Sequence, residues 1–320
     1  MYIELIVTEE EADKLETLSE CLLGISPSSQ VNIFTSMAKN ASKGLPKRIM
    51  SVLKEFKASQ DGCLLIKGLP IDRKYIWTPE NNKFHIGETT LLSRVQAIIN
   101  EFLGEMVSYE AEGDGRLFQD MVPNKELART QTSLSSKQEL ELHTEQAFSE
   151  MRPDYLSLAC LKGDINAKTY IMHVQNILDR FTLYETKVLS KELWEIGVDK
   201  SFVMNGCSSK LRGPLSILHL KDGEFEIVFD QDLMIGLTEE ASDLIDEIIE
   251  LYYEYREYCA LESGDILILN NNKVLHGRSA FSPLFDGHDR FVIRSFIMKN
   301  IKKIEGKTLG HQRMIAKEFS

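Results

Sequence analysis

From Tyr155 to Met298 the chain is cut into short strand-like runs separated by turn-forming residues: Tyr155 to Leu161, Thr169 to His173, Leu215 to His219, Phe225 to Phe229, Tyr258 to Leu261, Ile266 to Leu269 and Arg290 to Met298. Strands this short bury their apolar faces only by stacking one sheet on another, which points to a sandwich or barrel. A double-sheet jelly roll, the double-stranded β-helix, fits best. Helical patterns interrupt the strands at Val174 to Arg180, Tyr184 to Glu195 and Glu239 to Tyr255, and such helices belong on the outside of the sheets.

The first third reads differently. Met1 to Val7 has the pattern of a strand and Glu9 to Leu23 that of a helix with acidic residues in its first turn. Val31 to Phe56 is helical again, and Gly44-Leu45-Pro46 divides it into two helices. Gly62 to Pro70 is a compact apolar run expected to be a buried strand, and Thr89 to Leu103 is an amphipathic helix. Met106 to Glu112 and Arg116 to Val122, joined by Gly113-Asp114-Gly115, predict a hairpin. Asn124 to Glu139 is a long polar loop of the kind that forms lids. No repeat or low-complexity linker divides the chain. One domain over 1–320 is therefore expected, α+β but mainly β: a helical portion at 1–104, a jelly-roll core with helical insertions at 105–298, and a basic tail at 299–320.

The 49 acidic and 37 basic residues give a net charge of -12, which argues against a nucleic-acid or anionic-membrane surface. A cationic or zwitterionic small molecule is compatible with that charge. No apolar run reaches the roughly 18 residues that suggest a membrane span, and the start lacks a basic region followed by a long apolar one. The expectation is a soluble, cytoplasmic protein, with a homo-oligomer left open. The five cysteines are scattered and form no Cys-x-x-Cys pair, so they read as reduced, packed thiols.

The residues with most chemistry are His143-Thr144-Glu145. In an extended segment positions two apart project to the same side, so His143 and Glu145 could grip one metal ion together. His276, from a distant strand, would complete two imidazoles and a carboxylate on one face of the ion. That set leaves the other face open, as expected of non-haem Fe(II) oxygenases. A half-buried strand with satisfied polar side chains is the plain alternative. The remaining histidines, His85, His173, His219, His288 and His311, have no second ligand at useful spacing and are assigned no metal role. Glu262-Ser263-Gly264-Asp265 reads as a tight turn leading towards His276.

The motifs around these residues carry a resemblance. His143-Thr144-Glu145-Gln146-Ala147-Phe148, with Arg152-Pro153-Asp154-Tyr155 and Leu158-Ala159-Cys160-Leu161, resembles the first iron motif of the clavaminate-synthase-like, taurine-dioxygenase-related branch of Fe(II)/2-oxoglutarate dioxygenases. Asn271-Asn272-Lys273-Val274-Leu275-His276-Gly277-Arg278, then Phe281-Ser282-Pro283 and the run from Phe285 to Arg294, is similar to that branch's distal motif. The resemblance covers roughly Tyr109 to Met298. It implies Fe(II) on His143, Glu145 and His276, with 2-oxoglutarate and O2 as co-substrates and succinate and carbon dioxide as by-products. Arg290, 14 residues beyond His276, takes the distal carboxylate of 2-oxoglutarate, to which a guanidinium offers a planar two-donor fork. Thr169, 26 residues after His143, stands where the family helps hold the same group, although as a β-branched strand residue it would serve equally as packing.

The same resemblance gives the substrate side. Arg294 takes the α-carboxylate of an amino acid, Glu112 its α-amino group, and Glu145 serves that group with its second oxygen. Asp230 and Asp232 stand where relatives acting on basic amino acids receive the cationic side chain; a solvated strand end or helix cap is the alternative. Relatives that halogenate carry a small residue in place of Glu145, so hydroxylation is implied. The reading is side-chain hydroxylation of free L-lysine at C3 or C4. Arginine or a carrier-bound amino acid are alternatives within the class, and a zinc hydrolase or a non-catalytic binding protein lie outside it.

Overall fold

Local chemistry at the chain's turning points sets its first elements. The computed structural model describes residues 2 to 59 and 61 to 320; Met1, placed by sequence in the first strand, and Gln60 lie outside the described residues. Strand β1 (Tyr2–Ile6) runs into Thr8, which with Glu11 forms a reciprocal capping box and starts helix α1 (Glu9–Ser19). Helices α2 (Val31–Ala41) and α3 (Lys47–Ala58) are separated at Gly44 to Pro46 as the sequence requires. Strand β2 (Cys63–Lys67) follows, then α4 (Leu91–Leu103), capped by the Thr90 hydroxyl and buried on nearly every face.

The next strands are β3 (Glu105–Tyr109), β4 (Gln119–Met121), β5 (Leu140–His143), β6 (Tyr155–Lys162) and β7 (Thr169–His173). A mixed stretch comes after them: α5 (Val174–Leu178), α6 (Leu183–Leu189), β8 (Trp194–Ile196), α7 (Lys200–Met204), β9 (Arg212–Leu215), β10 (Leu218–Lys221), β11 (Glu224–Ile227) and β12 (Met234–Gly236). Helix α8 (Glu239–Tyr255), capped by Thr238, has the predicted bounds. Strands β13 (Glu257–Cys259), β14 (Ile266–Asn270), β15 (Val274–Arg278), β16 (Phe291–Met298) and β17 (Met314–Ile315) complete the described elements.

The fold is α+β. A large sheet runs β1-β2-β14-β6-β16-β3-β17, with β4 also paired to β16, and a four-stranded sheet runs β13-β7-β15-β5. Alternation along each strand divides the interior in two. Ile266 and Ile268 of β14, with Ile293 and Ile297 of β16, face a core shared with α1 to α4. Leu267 and Leu269, with Val292 and Phe296, face a second core shared with the four-stranded sheet. With both faces covered, β14 reads in sequence as an unbroken apolar run.

Three expectations are corrected. The hairpin between Met106 to Glu112 and Arg116 to Val122 does not form: β3 and β4 pair not with each other but with opposite ends of β16, at 296–298 and 292–294. An eight-residue strand has room for both, and the Gly113–Gly115 turn folds tightly against Tyr109 instead of setting up a ladder. The helix expected over Tyr184 to Glu195 stops at Leu189, and Trp194 is a buried strand residue whose indole N–H donates to the Ala241 carbonyl at 2.9 Å. Tertiary burial overrides helical spacing there. The strand expected at Leu215 to His219 is two, β9 and β10, and in the break between them the Ser216 hydroxyl meets the His219 ring at 2.9 Å.

Candidate active site

Two strands of the four-stranded sheet bring the metal-ligand candidates together. His276 of β15 lies directly opposite His143 of β5 in the antiparallel register, and the two rings stand 4.3 Å apart. Gly277 permits this approach, because a Cβ there would meet the Leu140 carbonyl oxygen at 2.6 Å. Glu145 lies just beyond β5, where Asn271 clamps its backbone: Glu145 N–H donates to Asn271 Oδ1 at 2.7 Å and Asn271 Nδ2 donates to the Glu145 carbonyl at 3.0 Å. Donor atoms of His143, Glu145 and His276 all lie within 4.8 Å of one another.

The donor chemistry fits a divalent metal. His143 Nδ1 is 2.8 Å from the Glu141 carbonyl, which fixes the proton on that nitrogen and turns the Nε2 lone pair inward. Burial and the neighbouring His276 pull the His143 imidazole below its usual range, favouring the neutral ligand form. His276 Nε2 faces Glu145 Oε2 at 3.8 Å, and its buried Nδ1 has no hydrogen-bond partner among the described residues. Burial pushes the Glu145 carboxyl up, but Arg294 and the two imidazoles outweigh burial and hold it ionised, at about 2.

These residues open on a cavity of about 490 Å³, and every site residue named from the sequence lines it: Glu112, His143, Glu145, Thr169, Asp230, Asp232, His276, Arg290 and Arg294. Arg290, just before β16 of the large sheet, and Thr169 of β7 are buried and line the cavity, as does Arg278 at the end of β15. Burial lowers Arg290's affinity for the proton, and among the described residues the one carboxylate whose charge opposes that is Asp164. A guanidinium buried with so little compensation favours an anion from outside the chain.

Arg294 is bonded quite differently. It pairs with Glu112, donates to Glu145 Oε1 at 3.1 Å, and its Nε donates to Gln119 Oε1 at 3.1 Å. Gly113 leaves room for Gln119, whose Cδ a Cβ at that glycine would meet at 2.4 Å. Glu112 also accepts from Gln146 Nε2 at 2.9 Å; burial raises its carboxyl to about 7 despite Arg294. A carboxylate facing a guanidinium presents the two charges that a free α-amino acid would meet.

Asp230 lies beside His143 in an isolated bridge, and its Oδ1 accepts from the backbone N–H of both Asp232 and Leu233 at 3.0 Å. The turn reading and the cavity reading therefore hold together for this residue. Burial raises its carboxyl to about 7. Asp232 is exposed and stands at the rim. Sequence reasoning missed Asp199, Ser201, Phe202 and Asn205, which bring α7 to the cavity wall. Asp199 caps that five-residue helix, a signal lost in a region without clear periodicity. The other histidines are engaged elsewhere: His85 with Asp114, His173 capping α5, His219 with Ser216, His288 with Tyr75, and His311 with Arg313. All five cysteines are free thiols.

A mixed fold, a two-histidine, one-carboxylate cluster and an anion-seeking arginine together define an oxygenase-type centre. The chain belongs to the taurine catabolism dioxygenase TauD, TfdA family, whose model matches residues 59–295. Within that family it is 42% identical to an L-lysine 3-hydroxylase of Catenulispora acidiphila over 321 aligned residues, covering 99% of this chain and 89% of that one. Its fold is that of asparagine oxygenase solved with Fe(II), 2S,3S-3-hydroxyasparagine and succinate, with a TM-score of 0.89 at 23% identity over 98% of this chain and 99% of the other. The non-haem iron oxygenase OrfP, solved with iron and α-ketoglutaric acid, matches at a TM-score of 0.87 and 22% identity, over 98% and 99% of the two chains.

Proposed function

We propose that this protein hydroxylates the side chain of free L-lysine, at C3, as an Fe(II)- and 2-oxoglutarate-dependent dioxygenase. The observation that carries the reading is one cavity holding three chemistries in order: the cluster of His143, Glu145 and His276, the undercompensated Arg290, and the Glu112–Arg294 pair. The choice of lysine and of C3 is supported by the 42% identity to an L-lysine 3-hydroxylase. In this reading the large and four-stranded sheets are the two walls of a double-stranded β-helix, and residues 1–320 form one domain.

The chain's own residues bind and orient. His143, Glu145 and His276 hold the iron, which with 2-oxoglutarate and O2 supplies the oxidising power for C–H hydroxylation, releasing succinate and carbon dioxide. Arg290, with Thr169, takes the distal carboxylate of 2-oxoglutarate. Arg294 exchanges part of its bonding with Glu112 for the substrate α-carboxylate, and Glu112 receives the α-ammonium. Asp230, with Asp232 at the rim, receives the side-chain ammonium, and these two carboxylates disfavour acidic or neutral side chains. Among the described residues no helix is long and apolar enough to cross a membrane. A zinc hydrolase would leave Arg290 without a task.

The test is succinate release by purified protein with Fe(II), 2-oxoglutarate and ascorbate, against each free amino acid, with the product examined by mass spectrometry and NMR. Lysine is expected to gain one oxygen at C3, and His143→Ala to abolish the gain. Oxidation of another amino acid in preference to lysine would overturn the substrate. No succinate with any amino acid, despite bound iron, would overturn the free-amino-acid reading.

A further inference from the structure

The sequence motif His276-Gly277-Arg278 contains one residue whose task the proposed chemistry does not use. Arg278 ends β15, two residues beyond His276, with its Cα paired to Thr169 on one side and Leu140 on the other. It is only 5% exposed, and no ion pair reaches its guanidinium among the described residues. Its donors go to backbone and hydroxyl groups: Nη1 to the Ser133 carbonyl at 3.0 Å, Nη2 to Ser135 Oγ at 2.9 Å and Nε to the Ser279 carbonyl at 3.3 Å. The Phe281 ring packs 5.1 Å from the guanidinium carbon.

Ser133 and Ser135 belong to the polar segment between β4 and β5, and Gln131 to Leu134 of that segment line the cavity. The segment is also tied by Gln131, whose Nε2 donates to the Glu139 carbonyl at 3.2 Å and whose Oε1 accepts from Glu141 N–H at 3.4 Å, and by turn bonds among Leu127 to Ser135. The Ala128 carbonyl accepts from Ser136 and Lys137, Asn124 N–H donates to the Leu134 carbonyl, and Phe281 N–H donates to the Ser136 carbonyl. We propose that Arg278 is a positioning residue that holds the segment 128–137 closed over the end of the cavity where Arg290 takes 2-oxoglutarate. A planar fork reaching a carbonyl and a hydroxyl two residues apart fixes the segment's path in a way a lysine could not. Arg278 and Arg290 are cations that both line this one cavity, so a dianion held by Arg290 also relieves the repulsion between them. The segment is therefore coupled to the co-substrate: it closes more firmly once the co-substrate is in place.

This rests on the assignment of Arg290 to 2-oxoglutarate, but its first readout does not need turnover. Amide hydrogen exchange across 128–137 is measured on the intact protein, as the wild type, Arg278→Lys and Ser135→Ala. Arg278→Lys keeps the charge and loses the fork; Ser135→Ala removes one bond and leaves both guanidinium groups untouched. Exchange is expected to quicken about tenfold or more in Arg278→Lys and less in Ser135→Ala, because a charge-assisted bond is worth more than a factor of ten. Adding 2-oxoglutarate with Fe(II) under anaerobic conditions should slow exchange in the wild type and do so less in Arg278→Lys. In steady state, Arg278→Lys should raise KM for 2-oxoglutarate about tenfold and leave KM for the amino acid and kcat within about twofold. Unchanged exchange in both variants overturns the proposal. So does a raised KM with unchanged exchange, which would make Arg278 a direct anion ligand. Absence of any turnover would strike the functional reading alone, since exchange in the unloaded protein still decides whether Arg278 holds the segment.

Discussion

Replacing Arg290 by methionine separates a binding residue from a structural one, because the two roles predict opposite signs. Arg290 is buried, Asp164 is the carboxylate that supports its charge, and Val292, Leu156, Leu158 and Met121 give the cavity an apolar lining. Methionine keeps the length and apolar stem and removes a charge that burial penalises, so the unloaded protein should be no less stable. A gain of about 1 kcal/mol would raise Tm by about 2 °C in a chain of this size. Binding should suffer. Losing a charge-assisted, two-donor contact costs about 1.5 to 3 kcal/mol, a factor of about 10 to 150 in affinity for 2-oxoglutarate. At a ligand concentration about 100 times the wild-type Kd, binding stabilises the wild type by about 2.7 kcal/mol, whereas a variant bound about 100-fold more weakly gains only about 0.4 kcal/mol. Thermal unfolding with and without 2-oxoglutarate, in the presence of Fe(II) and the absence of oxygen, measures both terms. A variant that loses stability unloaded yet keeps the full ligand-induced shift would refute the assignment and make Arg290 part of the scaffold.

Two further outcomes follow from the same geometry. Asp230→Asn keeps the Oδ1 that accepts from Asp232 and Leu233, so the turn survives, but it removes a carboxylate from the cavity; kcat/KM for lysine relative to norleucine should fall about tenfold or more, and an unchanged ratio would remove Asp230 from side-chain recognition. Asp120, whose Oδ1 accepts from Gly87 N–H at 3.0 Å while its buried Oδ2 has no hydrogen-bond partner among the described residues, is raised from 3.8 to about 6, mainly by burial. The folded state then holds its proton more tightly than the unfolded one, so between pH about 4 and 6 stability falls as pH rises, by about 3 kcal/mol for this group. Asp120→Asn should therefore be more stable than the wild type at pH 7.5 and lose that advantage by pH 4. Urea titrations at the two pH values check this, and an advantage independent of pH would contradict it.

Much of the fold was legible where local signals and tertiary packing agree. The acidic first turn of α1, the break at Gly44 to Pro46, the bounds of α8 and the apolar run of β14 all carry their structure in neighbouring residues. Where packing decides, the sequence misleads: Trp194 lies in helical spacing yet is drawn into a strand, and β3 and β4 look like a hairpin although β16 is the better partner for each. The ligand cluster was legible because His143 and Glu145 stand two apart and His276 carries a motif of its own, although β5 ends at His143 and it is Asn271, not strand alternation, that fixes the backbone of Glu145. Asp199 and α7 were not, since a five-residue helix has too few turns to leave a period.

Arg278, Arg290 and Arg294 make the same point about function. All three are buried on the cavity wall within 17 positions of one another, and as residue types nothing distinguishes them. Their partners do. Arg294 is met by Glu112 and Glu145, so its charge is already answered and a zwitterion must exchange with bonds that exist, which favours a ligand bringing both an ammonium and a carboxylate. Arg278 spends its donors on Ser133 and Ser135, so its loss should be felt as motion of a loop. Among the described residues Arg290 has neither a carboxylate at ion-pair distance nor a loop to hold, and burying it is unfavourable until an anion arrives. Motif spacing locates three cations, and the different charge balance around each is what supports the roles proposed for them at the substrate, the loop and the co-substrate.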